Sequence, residues 1–224
     1  SGSTTNPQLC GSSDFLNGLA GVEFDQDSGG EDVLQTSGTV ADLDDQPYTI
    51  CYIIKDTNQN DIDYYIYFFE GSNVASFFQG SFNFGGVRLY GQSGGFQTSP
   101  PTSYNKALSS DEITALSSGA MLTTVADGSN YQPFFNGTPL DIRDISNLPV
   151  TPAQDPTTNA ASLVVGNLAT AGMDAILYEI VICIGTGADD NAKAIEGYLA
   201  HRYGRTLPDT HKYKKGQPWG LGIK

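Results

Sequence analysis

Positive charge is scarce in this chain. Its 224 residues carry 11 Lys and Arg against 25 Asp and Glu, for a formal net charge of −14. A phosphate backbone or an anionic bilayer needs a basic patch as its partner, so nucleic acid and membrane surfaces are excluded as ligands. Solubility in salty surroundings is sufficient reason for the acidity. Long apolar runs are lacking too, with no stretch near the ~20 residues a membrane-crossing helix needs, and the first residues lack the basic and apolar regions of an export signal. Cysteine is rare and odd in number. Cys10, Cys51 and Cys183 show no metal-ligand spacing and cannot all pair internally, so the chain is no disulfide scaffold. Cys51 and Cys183 lie in strand-like apolar runs and read as buried thiols, which leaves Cys10 as the candidate for a bridge. No Gly-rich phosphate loop ending in Lys-Ser/Thr appears, and no Cys/His metal cluster. The two histidines, His201 and His211, have no nucleophile near them in the sequence.

What is abundant points to β structure. Aromatic residues make up 11% of the chain, rich in Tyr and Phe, beside 26 Gly and only 16% charged residues, as expected of short strands joined by many turns. The length suits one all-β domain. Residues 1–13 read as a flexible arm or linker, 14–206 as the domain, and 207–224 as a C-terminal strap packed on it.

The strand signals come in order. Short strands are expected at Gly21–Asp25 and Val33–Thr36. Tyr48–Ile54 is unbroken in its apolar character and suits a central strand covered on both faces. Ile62–Phe69 and Val74–Phe78 form a hairpin about Glu70–Asn73, and Phe82–Tyr90 bends at Gly85-Gly86. Gly91–Asp111 reads as the longest central loop, with one or two helical turns at Ser110–Leu116. Met121–Ala126 and Tyr131–Phe135 are strands, the second leading into Asn136-Gly137, the strongest hairpin signal present. With Thr138 these residues also match a glycosylation sequon, but the turn accounts for them. A second loop, Leu148–Asn159, precedes strands at Ser162–Gly166 and Met173–Ile184. Asp189-Asp190 then caps a helix whose positions Ala192, Ile195, Tyr198, Leu199, Arg202 and Tyr203 recur near the helical period, and Gly204 stops it.

The segment Ala192-Lys-Ala-Ile-Glu-Gly-Tyr-Leu-Ala-His-Arg-Tyr-Gly204, followed by Leu207-Pro208-Asp-Thr-His211-Lys-Tyr213, resembles the terminal helix and tail of the concanavalin A-like lectin/glucanase superfamily, in its laminin G-like branch from phage and marine-microbe surface proteins. Gly21-Val-Glu-Phe-Asp25, Gln46-Pro-Tyr-Thr-Ile50, Phe135-Asn-Gly137, Leu163-Val-Val-Gly166 and Ile176–Ile184 are similar to further strands of that pattern, although Gln26 stands where a Gly is usual. The resemblance implies a two-sheet antiparallel jelly-roll β-sandwich with one short C-terminal helix and an extended C-terminal strap.

Glycanases of this superfamily carry a Glu-x-Asp-x-Glu strand, which is missing. Asp61-x-Asp63 and Asp25-x-Asp27 sit in polar turns at strand ends, and Glu179 stands alone, so no catalytic residue is assigned and the chain is expected to be no enzyme. Sugar recognition calls for an aromatic platform beside hydrogen-bonding side chains, and the loop residues Phe96, Tyr104, Asn105, Asn130, Tyr131 and Trp219 are the candidates. No cofactor is required. Calcium is the ion that the resemblance brings in, and Asp56, Asn58, Asn60 and Asp61 are its expected ligands. The function that follows is a non-catalytic carbohydrate- or receptor-binding module of a phage, virion or bacterial surface protein, of tail-fibre, spike or adhesin type. Its partners would be a glycan or cell-surface receptor and other virion or surface chains, in a homotrimer, at the virion surface or outside the cell. A structural or capsid-decorating protein is the alternative, and a polysaccharide-degrading enzyme with an unrecognised site the third reading.

Overall fold

Tyr48–Ile54 occupies the middle of the molecule, as its unbroken apolar character predicts. The computed structural model describes residues 7–25, 32–35, 47–58, 62–70, 73–82, 87–93, 102–127, 131–141, 162–166, 173–184 and 188–216. In chain order the first half forms β1 (Gln8–Leu9), β2 (Val22–Phe24), β3 (Val33–Gln35), β4 (Tyr48–Asp56), β5 (Ile62–Glu70), β6 (Asn73–Phe82), β7 (Val87–Ser93) and β8 (Thr102–Ala107). The second half forms α1 (Ser110–Ser117), β9 (Ala120–Ala126), β10 (Tyr131–Phe135), β11 (Thr138–Pro139), β12 (Ser162–Gly166), β13 (Ala175–Ile184) and α2 (Ala188–Tyr203). The strands make a seven-stranded sheet in the order β1-β2-β13-β4-β9-β10-β11 and a six-stranded sheet in the order β3-β12-β5-β6-β7-β8. The neighbouring strands run antiparallel throughout. The fold is the jelly-roll β-sandwich expected from the sequence.

Alternation along β4 explains why the run carries no polar interruption. Tyr48, Ile50, Tyr52 and Ile54 enter the core between the sheets with Phe24, Leu122, Val165 and Leu177, whereas Cys51 and Ile53 enter a second core beneath α2 with Met121, Ile195, Leu199 and Tyr203. Thus the seven-stranded sheet is covered on both faces and the molecule has three layers. Burying each such aliphatic side chain contributes about 2 kcal/mol.

The helix α2 presents Ala192, Ile195, Glu196, Leu199, Ala200 and Tyr203 as its buried stripe. Arg202, expected in that stripe, instead lies at the surface, because the 3.6-residue period carries position 202 past the edge of the contact. Gly204 ends the helix with φ of +65°, and the Arg205 N–H donates back to the Ala200 carbonyl at 2.7 Å, a six-to-one closure that favours glycine. The Arg205 side chain then donates to the carbonyls of Tyr203, Ser118 and Gly119, fastening the end of α2 to the start of β9.

Two segments differ from the sequence expectation. Within Gly91–Asp111, read as a loop, β7 continues to Ser93 and Thr102–Ala107 forms β8. This strand lies at a sheet edge, where backbone pairing needs little apolar side chain, so its polar sequence concealed it. Within residues 1–13, read as an arm, Gln8–Leu9 pairs with Val22–Glu23. A short turn then places Asp14 against Lys55 at 2.7 Å, and the Tyr178 hydroxyl donates to the Asp14 carbonyl at 2.6 Å. Besides the expected C-terminal helix there is α1, opened by a capping box in which Ser109 and Glu112 satisfy each other's backbone N–H groups. The loop expected at Leu148–Asn159 lies outside the described residues.

Candidate functional site

The expected sugar-binding residues fall on both sheets. Tyr104 and Asn105 lie on β8, at the edge of the six-stranded sheet, in register with Gly91 and Tyr90 respectively and therefore on opposite faces. Tyr131 opens β10 in the other sheet, opposite Ala126. Phe96, Asn130 and Trp219 lie outside the described residues, so the described part of the set is not gathered in one place.

The end of β4 collects carboxylates that are far apart in sequence. Asp56 is buried, its Oδ1 accepts the Asn58 N–H at 3.1 Å, and the Asn58 side-chain amide donates to Asp174 Oδ2 at 2.9 Å. Register places Ala175 between Phe24 and Asp56, which brings Asp174 and Asp25 to the same end of the sheet. Asp32 adds a fourth carboxylate there. Its Oδ2 accepts the Asp25 N–H at 3.1 Å, while its Oδ1 is buried with no hydrogen-bond partner. Asp32 and Asp174 were missed from sequence because Asp32 closes an acidic, Gly-rich run that reads as an ordinary loop and Asp174 stands singly before β13. Asn60 and Asp61, the other expected ligands, lie outside the described residues. Among the described residues no group of three or more His, Cys, Asp or Glu is placed to hold a metal.

The remaining ionisable clusters are closed. Glu196 on α2 is completely buried, and its Oε2 lies 3.0 Å from both His211 Nε2 and Lys193 Nζ. His211 Nδ1 accepts the Tyr213 N–H, so the proton sits on Nε2 and is donated to Glu196. His201 Nε2 donates to the Tyr213 carbonyl at 2.9 Å. Both histidines thus clasp the strap to the helix. A Cβ at Gly197 would meet Tyr213 Cβ at 2.6 Å, so this position has to be glycine for the strap to lie so close. With the Glu196 and His211 side chains shut off from solvent, no substrate reaches them.

Glu179 is equally committed, accepting from the hydroxyls of Tyr198 at 3.1 Å and Tyr203 at 2.9 Å and from Arg202 at 3.0 Å. Burial, the largest cause, together with nearby carboxylates, pushes the Tyr178 and Tyr203 phenols up to about 12. The Cys51 thiol is buried against Thr123 at 3.1 Å and is raised well above its ordinary value by desolvation, which leaves it unreactive. All three cysteines are free thiols, and Cys10 accepts the Gly21 N–H at 3.2 Å. Among the described residues no helix is long and apolar enough to cross a membrane.

No protein family matches the chain, and no curated protein matches it. Solved structures do resemble it. The chain is similar to the enzymatically active domain of tailspike protein 2 from bacteriophage CBA120, with TM-score 0.57 and 14% identity over 96% of this chain and 30% of that one. It therefore spans under a third of that tailspike chain. It is similar to domain 4 of AbnA, an extracellular GH43 arabinanase from Geobacillus stearothermophilus solved with arabinotriose, with TM-score 0.53 and 14% identity over 83% of this chain and 81% of that one. It is also similar to the binding domain of botulinum neurotoxin DC solved with rat synaptotagmin II, with TM-score 0.55 and 11% identity over 88% of this chain and 46% of that one. With two antiparallel sheets, a buried central strand and these neighbours, the chain has the jelly-roll β-sandwich fold.

Proposed function

We propose that the chain is a non-catalytic carbohydrate- or receptor-binding module of a phage, virion or bacterial surface protein, working outside the cell or on the virion. The observation that carries this reading is the likeness to AbnA domain 4, which spans most of both chains and was solved with a bound oligosaccharide. The commitment of Glu179, Glu196 and His211 to hydrogen bonds within the protein supports a role without catalysis. A glycan array that includes arabino-oligosaccharides, run beside a bacterial-cell binding assay, tests it. Specific binding without release of new reducing ends is the expected result, and absence of binding to every glycan and cell type would overturn the proposal.

The proposal includes calcium held at the end of β4 by Asp56 and Asn58 together with Asn60 and Asp61. The expected outcome is a higher Tm in calcium than in EDTA, and identical melting removes the ion from the scheme. A structural or decorating role in a homotrimer is the second reading. A trimer by light scattering together with no glycan binding would select it.

A further inference from the structure

The strap that follows α2 rests on two supports. On the helix it covers Gly197, where an added Cβ would meet Tyr213 Cβ at 2.6 Å. On the β10–β11 turn it covers Gly137, where Leu207, Pro208 and His211 all lie within 3.3 Å of the place a Cβ would occupy. Leu207 joins the core beneath α2 with Leu16, Met121 and Ile195. Between the supports His211 turns inward to Glu196, with 1% and 0% of their side chains exposed. The strap thus closes one side of an apolar layer, and it does so over a buried pair of ionisable groups.

Every proton in this contact has its place fixed by a neighbour. His211 Nδ1 accepts the Tyr213 N–H at 3.2 Å and Nε2 donates to Glu196 Oε2 at 3.0 Å, the pattern of a neutral imidazole. A further proton on Nδ1 would face the Tyr213 N–H, donor against donor. On Glu196 it would discharge the partner of Lys193, whose Nζ lies 3.0 Å from the same Oε2. Glu196 Oε1 is buried and has no hydrogen-bond partner among the described residues, so a proton there would find no acceptor. Each position leaves a buried donor unsatisfied, which costs about 1–3 kcal/mol.

The other titratable and charged groups around the pair are already engaged. On α2, Lys193 lies over the Phe134 ring of β10 at 4.3 Å, and His201 Nε2 donates to the Tyr213 carbonyl, a bond that a charged imidazole keeps. Beneath the helix, burial holds Cys51 of β4 as a thiol against Thr123 of β9. On β13, Glu179 accepts from Tyr198, Tyr203 and Arg202, and Cys183 accepts from Asn191. On the strap, Lys214 pairs with Asp209, and Lys212 lies over the Tyr213 ring at 5.5 Å and 3.9 Å from Asp190.

We propose that the Glu196–His211 contact is an acid-labile clasp, in which proton uptake by His211 releases the strap from α2 and from the Gly137 turn. An imidazole released into water takes a proton near pH 6.5. Below that pH the open strap binds one proton more than the closed strap, so acid favours opening and the closed form is favoured above it. The open fraction rises about tenfold from about pH 7.5 to about 5.5. Opening bares Leu207 and the helix surface at Gly197, giving the molecule an acidic form with a free strap. This device goes beyond the binding reading and does not depend on it.

Amide hydrogen exchange of the intact chain at about pH 7.5 and 5.5, corrected for the intrinsic pH dependence of exchange, tests it. The N–H groups of His211, Tyr213 and Lys214 are hydrogen-bonded while the strap is closed, and β4 serves as the internal reference. The expected result is roughly tenfold more strap opening at the lower pH, with β4 unchanged. In His211→Gln, whose amide keeps a donor and an acceptor but does not titrate, strap opening should be independent of pH, whereas His201→Gln should behave like the unaltered chain. Equal or stronger strap protection at the lower pH, as an imidazolium–carboxylate pair would give, overturns the proposal. So does loss of β4 protection in step with the strap, or a pH dependence that survives in His211→Gln or vanishes in His201→Gln. If a variant misfolds, the direction seen in the unaltered chain decides.

Discussion

The two sheets of this sandwich use the same strand geometry for different ends. In the seven-stranded sheet both faces of β4 are buried, odd positions beneath α2 and even positions against the other sheet, and the helix is in turn pinned by the Glu196–His211 contact. Both helices pack on the seven-stranded sheet, against β4, β9 and β13, whereas the six-stranded sheet meets the core through β12, where Val165 is buried. A strand covered on both sides is free only to pack.

The contrast breaks most visibly under α2. Ile53→Ala empties a fully buried position between β4 and the helix and is expected to cost about 3 kcal/mol in denaturant melts. A smaller loss, about 2 kcal/mol, is expected for His211→Ala, which leaves Glu196 buried with Lys193 as its single remaining partner. Limited proteolysis should then cut first within Arg205–Gly216.

Alkaline titration probes the same layer without mutation. Tyr178 and Tyr203 hold their protons to about 12 in the folded chain, above the 10 expected when unfolded. Folded molecules therefore bind more protons between these values. The stability this contributes is complete below pH 10 and is lost as pH rises toward 12. Phenolate absorbance and circular dichroism followed together should show late-ionising tyrosines appearing with unfolding.

A weaker effect sharpens the comparison. Ser109→Ala removes the α1 capping box and is expected to cost about 1 kcal/mol.

Legibility in the sequence follows the same division. The apolar run of β4, the Asn136-Gly137 turn and the periodic stripe ending at Gly204 announced themselves because burial and backbone constraint leave local marks. Asn136 and Gly137 indeed take φ of +48° and +77°. The strand β8 was hidden, since an edge strand needs neither apolar alternation nor β-branched residues. Glu196 was hidden too, since a buried carboxylate reads like a surface one until His211, 15 residues away, is folded onto it.

The position of β13 between β2 and β4 has a consequence for assembly of the fold in time. Phe24 and Asp56 both meet Ala175, so β2 and β4 find their neighbour only after roughly 150 and 120 later residues, respectively, have been made. Contacts of such long sequence separation form slowly, because loop-closure entropy is lost before pairing compensates it. During synthesis β4 would wait with one edge and one apolar face open, and the arrival of β13 and α2 would close both at once. Folding on the ribosome should thus be a late, single event, checked by stalled chains ending before and after residue 204, of which only the longer resist protease.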